Sequence, residues 1–377
     1  MMHVLIIGSG LAGYITAKEI RAANPDVSID MICQDQGDFY SKPLLSTSLH
    51  QNKQPDDLIT HTAREMAERY QMTIHAQEKV ESIIPEKQRV KTNRAEHRYD
   101  RLVLATGAIP RTINDQWETI QGVSHINHLD DYRTFRHRLK QKQSVTIIGS
   151  GLVGVEYAND LLLSQHSVNM ISLLPYPLYG LVPEAIGLAM LDNLTSKSLN
   201  WIQTAGVSDI QSKHAICVTT QENQTIQSDQ VLLATGFIPN TTLAKSAQLN
   251  CDQGILTNQF SQTNHPNIFA VGDCAQSPNG IEFYISAIRK SAYAIARNLN
   301  TVNTPIQSKL TPIVIKSPLY PVVVCFKNNQ RVGTWEVDGD DSNFTGRLFD
   351  QSGQRIGFAL SGDHTTERQT LITWLDG

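Results

Sequence analysis

Short apolar runs, each stopped by a glycine or a proline, set the rhythm of this chain. His3-Val-Leu-Ile-Ile7, residues 27–33 and residues 102–105 read as short buried strands. An amphipathic stretch from about 12 to 23 predicts a helix between the first two. Asn24-Pro25-Asp26 stops it, as a proline just past a helix end should. A second helix is expected over 56–70, starting at the cap candidates Asp56 and Asp57. Tyr99-Asp-Arg-Leu-Val-Leu-Ala-Thr-Gly107 ends in a glycine turn followed by Pro110, and the polar stretch 111–143 reads as a connector.

The same succession then restarts, with a strand at 145–148, a helix over about 152–164, a strand at 168–174 and Val231-Leu-Leu-Ala-Thr-Gly236 with Pro239. Asn267-Ile-Phe-Ala-Val-Gly-Asp-Cys274 is a fourth apolar strand of this kind, ending in Gly-Asp. After about 305 the pattern changes to Val/Ile alternation (Pro312-Ile-Val-Ile-Lys316, Val322-Val-Val-Cys325, Val332-Gly-Thr-Trp335, Ile356-Gly-Phe-Ala-Leu360). That reads as a small antiparallel α+β domain.

Each half opens with the same glycine signature: GSGLAG (Gly8, Gly10, Gly13) and GSGLVG (Gly149, Gly151, Gly154), both directly behind an apolar strand. In a strand–turn–helix unit the first glycine makes the turn, the second admits a pyrophosphate and the third lets helix pack on strand. The phosphates then meet free N–H groups at the helix N-terminus. The echo of LVLATGAIP (102–110) in VLLATGFIP (231–239) extends the repeat beyond the loops. Two dinucleotides bound side by side imply electron transfer from one to the other. The expected fold class is α/β: two Rossmann-like dinucleotide-binding domains, the second inserted in the first, plus a small C-terminal α+β domain. Boundaries fall at 1–112 and 236–305, 113–235, and 306–377.

Composition narrows this further. A net charge of −4 and a pI near 6.3 leave no electrostatic footprint for nucleic acid or an anionic membrane. No apolar run reaches the ~18 residues of a membrane span, and a strand starting at residue 3 leaves no room for a signal peptide. The five cysteines (Cys33, Cys217, Cys251, Cys274, Cys325) form no CxxC pair, which suits a reducing cytosol. The twelve histidines show no HxH or HExxH spacing, and His125 and His128 read as solvated connector residues, so no metal site is expected. The expectation is a soluble cytoplasmic protein.

GSGLAG at the start, ATG twice and Ile-Phe-Ala-Val-Gly-Asp resemble the two-dinucleotide-binding flavoprotein reductases, which include glutathione reductase, NADH peroxidase and ferredoxin reductases. The resemblance implies that the first loop binds FAD, the second NAD(P)H, and that the Gly-Asp strand end returns to the FAD. In that family the flavin-proximal segment carries CxxxxC or a single Cys. Here it reads Phe39-Tyr-Ser-Lys-Pro-Leu-Leu-Ser46, without cysteine, so neither dithiol exchange nor a sulfenate cycle is available. This run, with GLVGVEYANDL (151–161), GDCA (272–275) and VIKSP (314–318), is most similar to the branch that reduces rubredoxin, and to its relative that reduces flavorubredoxin.

On that resemblance Gly8, Ser9, Gly10, Leu11, Ala12 and Gly13 hold the FAD pyrophosphate. Gln34 or Asp35, past the second strand, meets the adenosine ribose. Val80 meets the adenine, and Gly272 and Asp273 meet the ribityl chain. Lys42 sits where thiol relatives keep their cysteine. An ammonium there would stabilise reduced, anionic flavin and hydride arrival. Gly149, Gly151 and Gly154 form the nicotinamide-nucleotide loop, and Glu156 is expected beside the nicotinamide, paired with Lys42. Ile285 and Lys316 lie in segments that reach the flavin ring in this family, although ordinary packing explains them equally. Arg289, Lys290, Arg297 and Lys316 could form a basic rim for an acidic carrier, and Trp335 either packs over the flavin region or fills core.

NADPH sites place basic side chains past the second strand of the domain, and from Val168 to Ser196 there is no Lys or Arg. An NADH site usually has an acid there, whereas this chain has Leu173-Leu174-Pro175. NADH is therefore favoured by exclusion. The implied function is transfer of electrons from NADH through FAD to rubredoxin, with flavorubredoxin, ferredoxin or dioxygen as other acceptors and a nucleotide-binding redox sensor as the alternative class. With only about 70 residues in the last domain, a monomer is expected.

Overall fold

Continuous apolar strands need cover on both faces, and the computed structural model supplies it. It describes residues 1–376 apart from 213–214, 302 and 308. The chain divides into two compact units, one of Met1–Lys42, Asp57–Ile109 and Phe237–Lys309, the other of Pro43–Asp56, Pro110–Gly236 and Leu310–Gly377.

In the first unit a five-stranded parallel sheet runs in the order Ile268–Ala270, Arg101–Leu104, His3–Ile7, Ser28–Ile32, Thr73–His75. Val4 and Ile6 point to one face with Met31, Val103 and Phe269, where Tyr14, Ala17 and Ile20 of the helix Leu11–Ala23 cover them. Leu5, Ile7, Leu102 and Leu104 point to the other, against Val80, Ile83 and Val90. Those last three come from a three-stranded antiparallel sheet, Val80–Ile84, Arg89–Thr92 and Glu96–Arg98. The helix Ile285–Asn298 packs along Leu11–Ala23.

The second unit repeats the design. Its parallel sheet has the order Val123–Ser124, Gln230–Leu233, Ser144–Ile148, Ser167–Ser172, Leu199–Gln203. In both sheets the ATG strand and the glycine-loop strand are neighbours, and the next strand in sequence lies on the other side. The C-terminal stretch forms a five-stranded antiparallel sheet in the order Ile313–Ile315, Val322–Phe326, Arg355–Ser361, Asn343–Phe349, Thr334–Asp340, with the helix Arg368–Asp376 on it. The α/β architecture read from the sequence is therefore present.

Two local readings change. The stretch 56–70 is a 3-10 turn at Pro55–Leu58, a short strand at Ile59–His61 and a helix only over Ala63–Tyr70. Thr62 and Glu65 form a capping box that starts the helix, in place of Asp56 and Asp57. The supposed connector 111–143 contributes the edge strand Val123–Ser124 and a helix, Leu129–Arg138, that buries Leu129, Tyr132 and Phe135. His125 is half-buried there, bonded to the Leu233 carbonyl and to Glu118, rather than solvated. Among the described residues no helix is long and apolar enough to cross a membrane.

Candidate functional site

The two glycine loops are near-copies in three dimensions. Gly8 and Gly149 both sit at φ +113°, where side chains are strained, and a Cβ on either would lie 2.3 Å from a carbonyl oxygen of its ATG strand (Ala105 or Ala234). A Cβ on Gly13 would stand 2.0 Å from the Gly8 oxygen, and one on Gly154 would stand 2.1 Å from the Gly149 oxygen. Around Gly10 and Gly151, by contrast, nothing approaches within 4 Å of the missing Cβ. Each is the N-cap of a helix and offers no side-chain acceptor to the N–H groups of its first turn. A pyrophosphate fits such a cradle, and FAD fits the first unit on this observation.

The loop serines are anchored in parallel fashion. Ser9 Oγ donates to Asp35 Oδ1 at 2.9 Å, and Gly37 N donates to the same oxygen at 3.0 Å. In the second unit Ser150 Oγ meets Ser172 Oγ at 2.7 Å. Asp35 thus touches the loop, while Gln34 beside it is exposed. Past Ser172 come Leu173 and Leu174, 67% and 40% exposed, with no acid to meet a ribose.

Elsewhere in the first unit, Gly272 turns at φ +78° against Leu11–Ala23. A Cβ there would meet the Ala12 Cβ at 2.7 Å, so the Gly-Asp turn abuts the first glycine loop. Burial pushes the Asp273 carboxyl above its ordinary value, and the Lys42 ammonium opposes this without cancelling it. Lys42 Nζ lies 5.0 Å from the centroid of the Phe237 ring. Val80 is buried in the core beneath the sheet, and Ile285 is the half-buried first residue of its helix. The Cys33 thiol is pushed up to about 12 by burial and Cys274 is also raised by burial, so neither supplies a thiolate.

Because Asp273 is raised in the folded protein, its contribution to stability is full below the ordinary carboxyl value and is lost as pH rises through the folded value. Apoprotein carrying Asp273→Asn should therefore unfold at higher temperature than wild-type apoprotein at neutral pH, and the difference should vanish below about pH 3.9. FAD affinity should fall by about tenfold or more, as expected on losing a hydrogen bond to a charged group. Thermal unfolding across pH and flavin titration of deflavinated protein measure both.

In the second unit the polar side of the helix Leu152–Leu163 ties down two other segments. Glu156, 3% exposed, accepts from Ser46 Oγ at 2.7 Å and from the Lys316 backbone N at 3.2 Å, and it forms an ion pair with Lys316 Nζ. Lys316 Nζ also donates to Ser46 Oγ at 2.9 Å. Within the second unit Glu156 pairs with Lys316, a partner the sequence reading did not name, and Lys316 is turned inward rather than forming part of a basic rim. In the first unit, Lys290 Nζ likewise donates to the Lys309 carbonyl and Arg297 stacks on Tyr293. Trp335 lies edge-on to Phe326 and also lines a groove with Tyr176 and Tyr179.

Sequence reasoning missed Asp160, one turn after Glu156. It is buried and accepts from the Leu49 and His50 backbone N at 3.1 and 2.9 Å and pairs with His50 Nδ1 at 2.6 Å. Asn159 Oδ1 accepts from Leu319 N at 3.1 Å. Acids at i and i+4 inside an otherwise apolar helix were the available signal.

Comparison with known proteins agrees with this geometry. Residues 2–291 match the family described as pyridine nucleotide-disulphide oxidoreductase, and residues 305–375 match the rubredoxin binding C-terminal domain. The rubredoxin-NAD(+) reductase of Acinetobacter baylyi is 34% identical, covering 99% of this chain and 98% of its own. The nitric oxide reductase FlRd-NAD(+) reductase of Aliivibrio fischeri is 29% identical over 100% and 99%. The solved ferredoxin reductase for the CYP199A2 system of Rhodopseudomonas palustris shares the fold, with TM-score 0.89 at 22% identity and coverage of 99% and 95%. The chain belongs to the pyridine nucleotide-disulphide oxidoreductase family and is similar over its whole length to rubredoxin-NAD(+) reductases.

Proposed function

We propose that this oxidoreductase takes electrons from NADH and delivers them, by way of FAD, to rubredoxin. The observation that carries the reading is one chain holding two dinucleotide cradles of the same geometry ahead of residues matched by a rubredoxin-binding domain. Bound FAD supplies the conversion of a two-electron hydride donor into single-electron delivery.

The residues do the rest by binding and orienting. Gly8 to Gly13 present backbone N–H groups to the FAD pyrophosphate, with Asp35 toward the ribose and Asp273 toward the ribityl hydroxyls. Lys42 brings positive charge to the flavin-proximal segment. Gly149, Gly151 and Gly154 do for NADH what the first loop does for FAD. Lys316 and Ser46 hold the Glu156 carboxylate in one orientation at the end of that cradle. The absence of Lys and Arg from 168 to 196 supports NADH over NADPH. Raised thiols at Cys33 and Cys274 support a route without sulfur.

A steady-state assay with purified acceptors tests the reading. NADH-driven reduction of rubredoxin should exceed that of ferredoxin or dioxygen by at least about tenfold in kcat/KM. Equal rates would overturn rubredoxin as the acceptor, and a preference for flavorubredoxin would move the assignment toward the 29% identical relatives. We further propose a cytoplasmic monomer, which light scattering and fractionation test.

A further inference from the structure

Three histidines and two carboxylates, far apart in sequence, converge in the first unit. Asp30 comes from the parallel strand Ser28–Ile32, His75 from Thr73–His75, and His97 from the antiparallel strand Glu96–Arg98. His75 Nε2 lies 2.9 Å from Asp30 Oδ2, and the His75 and His97 rings are 4.6 Å apart. Glu78 stands behind them. Its Oε1 lies 2.7 Å from His97 Nε2 and 2.5 Å from Thr92 Oγ1, and its Oε2 is 3.9 Å from His75 Nδ1. His3 Nε2 completes the group at 3.4 Å from Asp30 Oδ1.

We propose that Asp30, His75 and His97 form a divalent transition-metal site that takes Zn(II), with Glu78 as the carboxylate that orients His97. One ligand atom from each of the three lies within 4.8 Å of the other two. A tetrahedral ion with bonds of about 2.1 Å holds its ligands about 3.4 Å apart, so side-chain adjustments of about an ångström close the site. Imidazole with carboxylate is the donor set of zinc and its neighbours, whereas calcium and magnesium require oxygen throughout. A histidine held by a buried carboxylate is the outer-shell arrangement that fixes ring orientation in metal centres.

The cluster sets the carboxylates of Asp30 and Glu78 against the imidazoles of His3, His75 and His97, and metal binding to such donors is coupled to proton release. The three ligands are half-buried, which leaves solvent access for entry. Occupied, the site clamps the parallel sheet to the antiparallel one.

The test uses tag-free, FAD-loaded protein stripped with EDTA and desalted, then titrated with Zn(II) by calorimetry and followed by thermal unfolding. One ion per chain should bind with proton release, and the unfolding temperature should rise with Zn(II) concentration. His75→Ala and His97→Ala should each lose about a hundredfold in affinity, and Glu78→Gln about tenfold, with the flavin absorbance retained as a check on folding. Asp30→Asn, the mildest change to the ligand set, serves if an alanine variant does not fold. No stoichiometric Zn(II) binding by wild type, or equal binding by Asp30→Asn and the histidine variants, would overturn the proposal.

Discussion

Gly13→Ala yields a protein that purifies without yellow colour, whereas Gly154→Ala keeps its flavin and is no longer reduced by NADH. Both expectations come from the same steric fact. The new methyl would stand 2.0 Å from the Gly8 oxygen in one case and 2.1 Å from the Gly149 oxygen in the other. The obstructing atom is backbone within the same tight turn, so no rotamer change relieves it. Moving to ordinary contact opens the turn by more than an ångström and tilts the N–H groups of the helix's first turn away from the phosphates. Overpacking of this kind costs about 1–3 kcal/mol. Each lost hydrogen bond to a charged oxygen adds about 1.5–3 kcal/mol. Two such bonds correspond to a loss of about a hundredfold or more in nucleotide affinity. The ratio of flavin to protein absorbance reads the first variant. Anaerobic mixing with NADH reads the second, with dithionite as proof that its flavin remains reducible. A yellow Gly13→Ala protein with unchanged FAD affinity would remove the first loop as the flavin cradle. Normal reduction of Gly154→Ala by NADH would do the same for the second.

Those loops were legible because their constraint is local: strand, turn and helix lie within a dozen residues, and the steric need for glycine is written at fixed spacing. Where the constraint is distant the sequence is mute. Leu129, Tyr132 and Phe135 are spaced for one helix face, but the Asp, Arg and Thr residues between them give 111–143 the look of a polar connector. In 56–70 Asp56 and Asp57 have the residue type of caps but Thr62 and Glu65 carry the capping box, because the strand Ile59–His61, which precedes the helix, depends on pairing with Phe39–Tyr40. Nothing near Glu156 announces a partner 160 positions away at Lys316. The histidine cluster escapes motif reading for the same reason: His75 and His97 share no short spacing and meet Asp30 only once two sheets have formed.

Lys316→Met is expected to damage the second unit more than the paired change Glu156→Gln with Lys316→Met. Glu156 is almost fully buried, so removing its cation leaves a carboxylate held by one hydroxyl and one backbone N–H. Breaking a buried pair from one side costs about 3–5 kcal/mol when both charges are enclosed. Lys316 is 28% exposed, and solvent screening of the ammonium reduces the figure here to about 1–3 kcal/mol. Glutamine opposite methionine removes the stranded charge while keeping the Ser46 hydroxyl partnered, so the double variant should recover most of the loss. Function should separate from stability in the same set. If the Glu156 carboxylate positions NADH, both variants that alter it should reduce flavin about ten- to a hundredfold more slowly, however stable they are. Unfolding temperature and the single-turnover rate of flavin reduction, measured across the four-protein cycle, decide both points. Additive losses in stability would show that the two side chains act independently, and an undiminished reduction rate in Glu156→Gln would take that carboxylate out of the hydride step.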